Sequence, residues 1–571
     1  MSDPPSPLAL RDAAARVRTG GEALIGQLLA EGVRDLFGIP GIQLDWAVDA
    51  VRRAAPELRY FTPRHEQATT YMADGYARTT GREGVCMVVP GPGVLNALSG
   101  LATAYACHSP VFLIAGQIPS GSIGRGLGML HELPDQSGIL DRLTKWRALA
   151  RTPEELPELV NAAFRELRSS PPRPVALEVP PNVLKASAHV GLLSPAKASP
   201  ARPEASAVAR ACELLRRARF PVIQAGGGVA ASGASRALAA IAERLQAPVV
   251  MTEGARGVID DRHPLALSAL AGRAVLPRAD VVLVVGSRFL DAQGTPIRTA
   301  PTARIIYLNV EEAHAGSPRQ PGLLIRADAR TGLEGLLDGL AQVERPYAET
   351  AAHRARDWAN AQLATVQPQM GYVQALRRAM ADDDICVSEL TQVGYFANLA
   401  FPVHGPRRFV TPGYQGTLGY GFNTALGAAI GNPEARVVSV NGDGGFAWGM
   451  QELATLARYR LNVSVVVFVD GRYGNVLRIQ RREFDVDFAT DLTNPDYSLL
   501  AAAHGLPCAR VESPSALEEA LVAARARSGP ALIEVSVGAM PSPWPLIHPF
   551  VPPIIEPPTD LLDGVAPRNG A

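Results

Sequence analysis

Arg436-Val437-Val438-Ser439-Val440-Asn441-Gly442-Asp443-Gly444-Gly445 is the stretch that decides how this chain reads. Its β-branched run predicts a strand, and the glycines and Asp443 predict a tight turn at the strand's carboxyl end. A helix-like stretch follows, Met450-Gln451-Glu452-Leu453-Ala454-Thr455-Leu456-Ala457. A second apolar run, Val463-Ser464-Val465-Val466-Val467-Phe468-Val469, then ends at Asp470-Gly471. The order is strand, turn, helix, strand, with an acidic residue at each strand's carboxyl end. Asp443 and Asp470 lie 27 positions apart, over which a short βαβ unit returns its second strand beside the first. Such ends, beside helix N-termini, are where α/β folds hold phosphates and metals. Two carboxylates there suit one hard cation, because Mg²⁺ commonly takes one or two carboxylates plus substrate phosphates. Gly442, Gly444 and Gly445 let the backbone approach a diphosphate closely. Glycine and aspartate at one strand end alone are ordinary turn chemistry; the flanking pattern and the second aspartate are what point to a ligand.

The same alternation extends outward along the chain. Up to about residue 190 the sequence predicts a helix over Gly21–Gly32, a short strand at Asp35–Gly38 and a buried strand at Gly84–Val89 ending in Pro90-Gly91-Pro92-Gly93. A helix over Leu95–Tyr105 and a buried strand at Val111–Gly116 follow. Ser194–Ser206, rich in Pro, Ala and Ser, reads as a linker. The segment from 207 to about 340 again alternates, with strands at Pro221–Ala225, Pro248–Met251, Val281–Val285 and Arg304–Leu308. A polar helical connection over about 344–370 leads to the third segment. Buried strands alternating with helices indicate parallel sheets covered on both faces. The expected architecture is α/β with three doubly wound parallel-sheet domains, at 1–193, 207–343 and 365–545, and a proline-rich tail at 546–571.

Composition narrows the function classes. The chain has 571 residues, 47% hydrophobic and 19% charged, with a net charge of zero. This suits a globular protein with large cores and offers no basic surface for nucleic acid or anionic membrane. No apolar stretch reaches the ~18 residues that span a bilayer. The start, Met1-Ser2-Asp3-Pro4-Pro5-Ser6-Pro7, lacks a signal-peptide layout and reads as a disordered extension. Five cysteines without paired metal spacing (Cys86, Cys107, Cys212, Cys386 and Cys508) fit reduced thiols. A cytoplasmic protein is expected.

Gly442-Asp443-Gly444-Gly445 followed by Val469-Asp470-Gly471-Arg472-Tyr473-Gly474 resembles the signature of enzymes that use thiamine diphosphate (ThDP). The resemblance covers about residues 20–540, with acetolactate synthase and benzoylformate decarboxylase as the nearest types. It implies pyrimidine-binding, central and diphosphate-binding domains, in that order. By that likeness Asp443, the Asp470 side chain and the Arg472 carbonyl bind Mg²⁺, and Gly442, Gly444, Gly445, Tyr473 and Gly474 border the diphosphate. The sequence has Val469-Asp470 where the family usually has Asn-Asn. Arg64-His65-Glu66-Gln67-Ala68 resembles the family's glutamate helix, in which Glu66 would hydrogen-bond the aminopyrimidine of ThDP and promote its activation. Gly394 falls in a diphosphate-contacting stretch. Thr417 and Leu418 fall in the thiazolium loop, where Leu418 would force ThDP to bend.

Two histidines are further catalytic candidates. His108, in Ala106-Cys107-His108-Ser109-Pro110, resembles an active-site histidine of benzoylformate decarboxylase and would relay protons. His131 lies near where acetolactate synthases carry residues facing the site. Gln117 would line the crevice. Ile479 stands where acetolactate synthases usually have tryptophan, and Ile42 where benzoylformate decarboxylases have serine, so the substrate pocket matches neither. Gly226-Gly227-Gly228 is a weak nucleotide motif, and the segment that wraps FAD in some relatives is missing, so FAD is not expected. The resemblance implies ThDP and Mg²⁺ as cofactors. It also implies a homodimer or homotetramer with active sites between subunits. The implied activity makes or breaks a C–C bond next to a carbonyl, with a 2-oxo acid or acyl compound as substrate. A decarboxylase (lyase) and a carboligase (transferase) are rival forms, and a 2-hydroxyacyl-CoA lyase is a third. A non-catalytic ThDP-fold regulatory subunit is the reading from another class.

Overall fold

The structure, a computed structural model, describes residues 13–312, 322–340 and 348–566. The extension read at Met1–Pro7, the start of the polar connection and the last tail residues lie outside the described residues. The chain divides into two compact units. One comprises residues 1–199 with 423–432 and 449–461; the other comprises 200–422, 433–448 and 462–571. The division falls inside the linker read at Ser194–Ser206.

The first unit opens with strand β1 (Arg16–Thr19), whose last residue caps the helix Gly20–Ala30. Thr19 and Glu22 form a reciprocal capping box, which satisfies two amides that a helix start leaves free. Strands β2 (Asp35–Gly38), β3 (Arg59–Phe61), β4 (Gly84–Val88), β5 (Val111–Gly116), β6 (Trp146–Leu149) and β7 (Val175–Val179) build a six-stranded sheet. Its order is β3-β2-β4-β5-β7-β6, every pair parallel. Strand β8 (Ser187–Val190) returns antiparallel to β1. β2, β4, β5 and β7 are buried along their whole length, which explains their unalternating apolar sequences. Phe112, Ile114, Phe164 and Leu177 lie in the core between this sheet and its helices.

The second unit carries two further parallel sheets. Strands β9 (Pro221–Ala225), β10 (Val249–Met251), β11 (Ala266–Leu267), β12 (Val281–Val285), β13 (Arg304–Asn309) and β14 (Leu323–Arg326) pair in the order β11-β10-β9-β12-β13-β14. Strands β15 (Ile385–Ser388), β16 (Phe409–Val410), β17 (Val437–Gly442), β18 (Val463–Val469), β19 (Cys508–Val511) and β20 (Ala531–Ser536) pair in the order β16-β15-β17-β18-β20-β19. The three doubly wound parallel sheets expected from the sequence are thus present. One apolar cluster joins the second and third sheets within this unit. It runs from Val222 and Leu270 through Ala351 and Ala355 of the helix Ala348–Leu363 to Val373, Val438 and Val466. The division into units therefore separates the first sheet from the other two, and the expected boundaries near 343 and 365 lie inside one unit.

The glycine run after β9 is used for backbone packing. A Cβ on Gly226 would come 2.2 Å from the Gly286 carbonyl oxygen, and one on Gly228 would come 2.7 Å from the Gly286 Cα. The tail is tied to the same unit. Arg273 donates to the carbonyls of Leu546 (2.8 Å) and Ile555 (3.0 Å), and Arg278 to that of Thr559 (2.5 Å).

Candidate active site

In the second unit three neighbouring parallel strands each end in an acidic residue. Glu389 follows β15, Asp443 follows β17 and Asp470 follows β18. β17 and β18 pair directly, with Gly442 opposite Phe468, so Asp443 and Asp470 emerge side by side at the sheet's carboxyl edge. The turn expected at Gly442–Gly445 is a short helical turn, Asp443–Phe446, begun by Asp443 itself.

Asp443 is buried, at 2% exposure. Its Oδ1 accepts from the Gly444 amide (2.9 Å), and its Oδ2 accepts from the Gly471 amide (2.8 Å) and Asn494 Nδ2 (2.7 Å). Those bonds fix both oxygens and tie the β17 turn to the turn after β18. Asp470 accepts from the Arg472 amide at 3.1 Å. Its carboxyl is pushed above the ordinary range, first by burial and then by the charge of Asp443. A divalent cation between two such carboxylates would remove that repulsion. The Arg472 side chain is drawn towards Asp487 and Asp491 (both 3.6 Å), which leaves its backbone carbonyl as the ligand it could offer. No cluster of three or more His, Cys, Asp or Glu side chains suited to a metal occurs among the described residues. Two carboxylates and a carbonyl completed by a ligand's phosphate oxygens form the set that Mg²⁺ accepts.

Glycine lets the two turns pack closely on their neighbours. A Cβ on Gly444 would come 2.8 Å from the Tyr473 ring, and one on Gly474 would come 3.0 Å from Asp470 Oδ2. One on Gly445 would come 2.1 Å from Glu389 Oε1. The paired carboxylates fit a metal that carries a diphosphate, with Gly442, Gly444 and Gly445 at the turn after β17 and Tyr473 and Gly474 at the turn after β18. Gly394 is placed nearby but differently. Its amide is taken by Thr391 Oγ1 (3.1 Å) at the start of the helix Gln392–Ala400, and its Cβ position abuts the Glu389 carbonyl.

Glu389 is the residue that sequence reasoning missed. It is buried, and its Oε1 accepts from the Gly419 amide at 2.8 Å, with further backbone bonds from Tyr420 and Gly421. Burial pushes its carboxyl up to about 8 despite those bonds. Its Oε2 is buried without a hydrogen-bond partner among the described residues. Glu389 thereby anchors the start of the helix Tyr420–Gly431 and the loop before it. That loop holds Thr417 and Leu418, and Leu418 is 39% exposed. The signal was available: Glu389 follows the buried strand Ile385-Cys386-Val387-Ser388, as Asp443 and Asp470 follow theirs.

In the first unit Glu66 opens the helix Glu66–Thr80, just beyond the carboxyl end of β3. His65 caps this helix, its Nδ1 accepting from the Gln67 amide at 3.2 Å. Buried Glu452 accepts from the amides of Arg64 (2.9 Å) and His65 (3.0 Å), fixing the turn that presents Glu66. Glu66 Oε2 accepts from Asn96 Nδ2 at 3.0 Å, on the helix Pro92–Ala106.

His131 lies on the same carboxyl edge of the sheet. Its backbone abuts Gly91, which follows β4, and its Nδ1 is buried without a hydrogen-bond partner among the described residues. His108 is placed elsewhere. It follows Cys107, the C-cap of the helix Pro92–Ala106, and precedes β5, so it sits at the sheet's amino edge, opposite Glu66 and His131. Gln117 is buried and donates to Glu178 at 3.0 Å. Glu178 also accepts from Gln136 (2.9 Å) and Ser137 (2.5 Å), so Gln117 belongs to a buried network and does not line a crevice.

Comparison with known proteins accords with this geometry. Three family models match in order: the thiamine pyrophosphate enzyme N-terminal TPP-binding domain over residues 18–139, the central domain over 208–336, and the C-terminal TPP-binding domain over 390–535. Thiamine pyrophosphate is the same compound as ThDP. A probable 2-ketoarginine decarboxylase, AruI, of Pseudomonas aeruginosa is 35% identical over 90% of this chain and 94% of its own. A probable acetolactate synthase large subunit of Methanocaldococcus jannaschii is 32% identical, covering 91% of this chain and 92% of its own. The acetolactate synthase isozyme 1 large subunit of Escherichia coli is 31% identical, covering 93% and 96%. The chain therefore belongs to the thiamine pyrophosphate-dependent enzyme family.

Proposed function

We propose that this protein is a ThDP- and Mg²⁺-dependent enzyme that decarboxylates a 2-oxo acid. Release of an aldehyde and transfer to a second carbonyl are the two fates open to the product carbon. The observation that carries the reading is the pair Asp443 and Asp470 on adjacent strand ends, framed by glycines whose backbone packs too closely on Tyr473, Asp470 and Glu389 to admit a side chain. The names of the relatives, a 2-ketoarginine decarboxylase and acetolactate synthases, supply the substrate class.

When bound, ThDP supplies a nucleophilic carbon and an electron sink for the carbanion left as CO₂ departs. The chain's residues do the rest. Asp443, Asp470 and the Arg472 carbonyl hold the Mg²⁺ and, through it, the diphosphate. Glu389 fixes the loop carrying Thr417 and Leu418, and Leu418 gives the thiazolium an apolar support. Glu66, presented at a helix start, holds the proton that the aminopyrimidine needs. His131, whose buried Nδ1 has no hydrogen-bond partner among the described residues, is the candidate for moving a proton on the substrate. His108, at the opposite edge of the sheet, has no part in this set.

Exposed apolar residues support assembly into a homo-oligomer. Leu127, Met129 and Leu130 are exposed in the first unit, and Trp448, Phe484 and Phe488 in the second, the last two at 71% and 75%. Among the described residues no helix is long and apolar enough to cross a membrane. The test is ThDP binding by calorimetry with Mg²⁺, with EDTA, and in Asp443→Asn. Mg²⁺-dependent binding weakened about 100-fold in the variant is expected. Equal binding in all three would overturn the assignment.

A further inference from the structure

One face of the helix Gly474–Phe484 lines a cavity of about 200 Å³ in the second unit. Asn475, Arg478, Ile479 and Arg482 recur at helical spacing along that face, and the tail lines the other side with Trp544 and His548, leaving the cavity open to solvent. The face begins one residue after Gly474, which borders Asp470. Arg478 is therefore only about 5 Å further along the helix axis than Asn475.

The cavity is built around a guanidinium that has no acidic partner among the described residues. Arg478 is half-buried and donates to Asn475 Oδ1 at 2.9 Å. Asn475 Oδ1 also accepts from Trp544 Nε1 at 3.1 Å, and the Arg478 guanidinium lies 5.8 Å from the Trp544 ring centroid. Trp544 is held in turn by Tyr395 (4.6 Å between rings) and by stacking on His548 (5.1 Å). No carboxylate among the described residues lies within ion-pair distance of Arg478, whereas most arginines around it are paired. The neighbouring charge in the cavity is a second guanidinium, Arg482, whose own partner is Glu483 at 2.7 Å. Burial and the charge of Arg482 both hold Arg478 below its ordinary range, so the site disfavours its own cation. A rigid, planar, part-desolvated guanidinium fork beside a second one matches a carboxylate.

We propose that this cavity binds a carboxylate at the far end of the substrate, so that the preferred substrate is a short 2-oxo acid with a second carboxylate. The inference deepens the 2-oxo acid reading and rests on it. Chemically, the bond from C1 to C2 breaks, CO₂ leaves and a proton replaces it at C2, while the distal carboxylate passes through unchanged. The volume suits a chain of a few carbons. An acid ending in a guanidinium, the substrate in the name of the Pseudomonas relative, would meet two like charges here.

Two arms test it on the ThDP- and Mg²⁺-loaded protein. In the first, CO₂ release is measured from 2-oxoglutarate, 2-oxohexanoate, pyruvate and 2-oxo-5-guanidinopentanoate, with the wild type, Arg478→Gln and Arg478→Lys. The expected result is the highest kcat/KM for 2-oxoglutarate. Its preference over 2-oxohexanoate falls about 30-fold or more in Arg478→Gln, mainly through KM, and Lys restores part of it. A preference for the neutral or the guanidinium acid would overturn the inference and leave the 2-oxo acid reading standing. The second arm needs neither turnover nor a variant: glutarate, its diamide and inorganic phosphate are titrated calorimetrically. Binding of glutarate but not the diamide is expected. No glutarate binding, or displacement by equimolar phosphate, would overturn the cavity assignment. If no acid releases CO₂, the 2-oxo acid reading fails and this second arm still decides the cavity.

Discussion

Single side chains carry the most specific expectations. Replacing Glu66 by Gln keeps its shape and its contact with Asn96 while removing the proton it exchanges. Turnover should fall about 100-fold or more with ThDP binding retained; steady-state rates and calorimetry on one preparation check both. Glu389 gives a pH signature. Its carboxyl is held up near 8 in the folded chain against an ordinary value of 4.5, so the native state retains a proton that the unfolded chain has lost over that interval. Stability of the cofactor-free protein should therefore fall as pH rises from about 4.5 to 8. Glu389→Gln keeps an oxygen acceptor for Gly419, Tyr420 and Gly421 and cannot ionise. Its unfolding midpoint should be flatter over that range in paired melts at pH 5 and 8, and an unchanged slope would remove Glu389 as the cause. Asp443 and Asp470 were legible in the sequence because each ends a long buried strand. Glu389 ends a shorter one with no glycine motif to flag it. His108 was singled out by resemblance to an active-site histidine, and its place before β5 puts it at the amino edge of the sheet, away from the edge that carries Glu66.

Helices and strands were legible where the apolar pattern was long. β12 and β18 have the expected bounds, β17 starts one residue later and runs two residues further than the β-branched run, to Gly442, and β10 is one residue shorter than expected. Helix starts were read late. The helix expected from Leu95 begins at Pro92, where proline's fixed φ suits a first turn, and the one expected from Gly21 begins at Gly20 behind its capping box. The crossing of the helices Glu66–Thr80 and Tyr420–Gly431 was not readable, because it depends on long-range contact. A Cβ on Gly75 would come 2.1 Å from the Thr424 carbonyl oxygen, and one on Gly427 would come 1.9 Å from that of Met72. Two backbones meet there with no space for a methyl group. Gly75→Ala should destabilise the first unit by about 1–3 kcal/mol, seen as a lower urea midpoint, while an alanine at exposed Gly121, which meets nothing within 4 Å, should not.

On the scale of the whole chain, the three parallel sheets follow from three stretches of alternating strands and helices. The grouping into two units does not, because the shared core of the second and third sheets joins residues such as Val222 and Val438 that are far apart in sequence. Removal of metal should be felt by the whole molecule: EDTA should lower the melting temperature of the ThDP-loaded protein, since a ligand at about 100 times its Kd contributes ~2.7 kcal/mol. Apolar exposure at Leu130, Phe484 and Phe488 predicts a sedimentation coefficient above that of a 60.4 kDa monomer. CO₂ release from a panel of 2-oxo acids, with and without ThDP and Mg²⁺ and with the organic product identified, decides whether the protein is a 2-oxo acid decarboxylase. Release that requires both cofactors, with an aldehyde or a 2-hydroxyketone as product, is predicted. No release from any acid, with ThDP demonstrably bound, would contradict it.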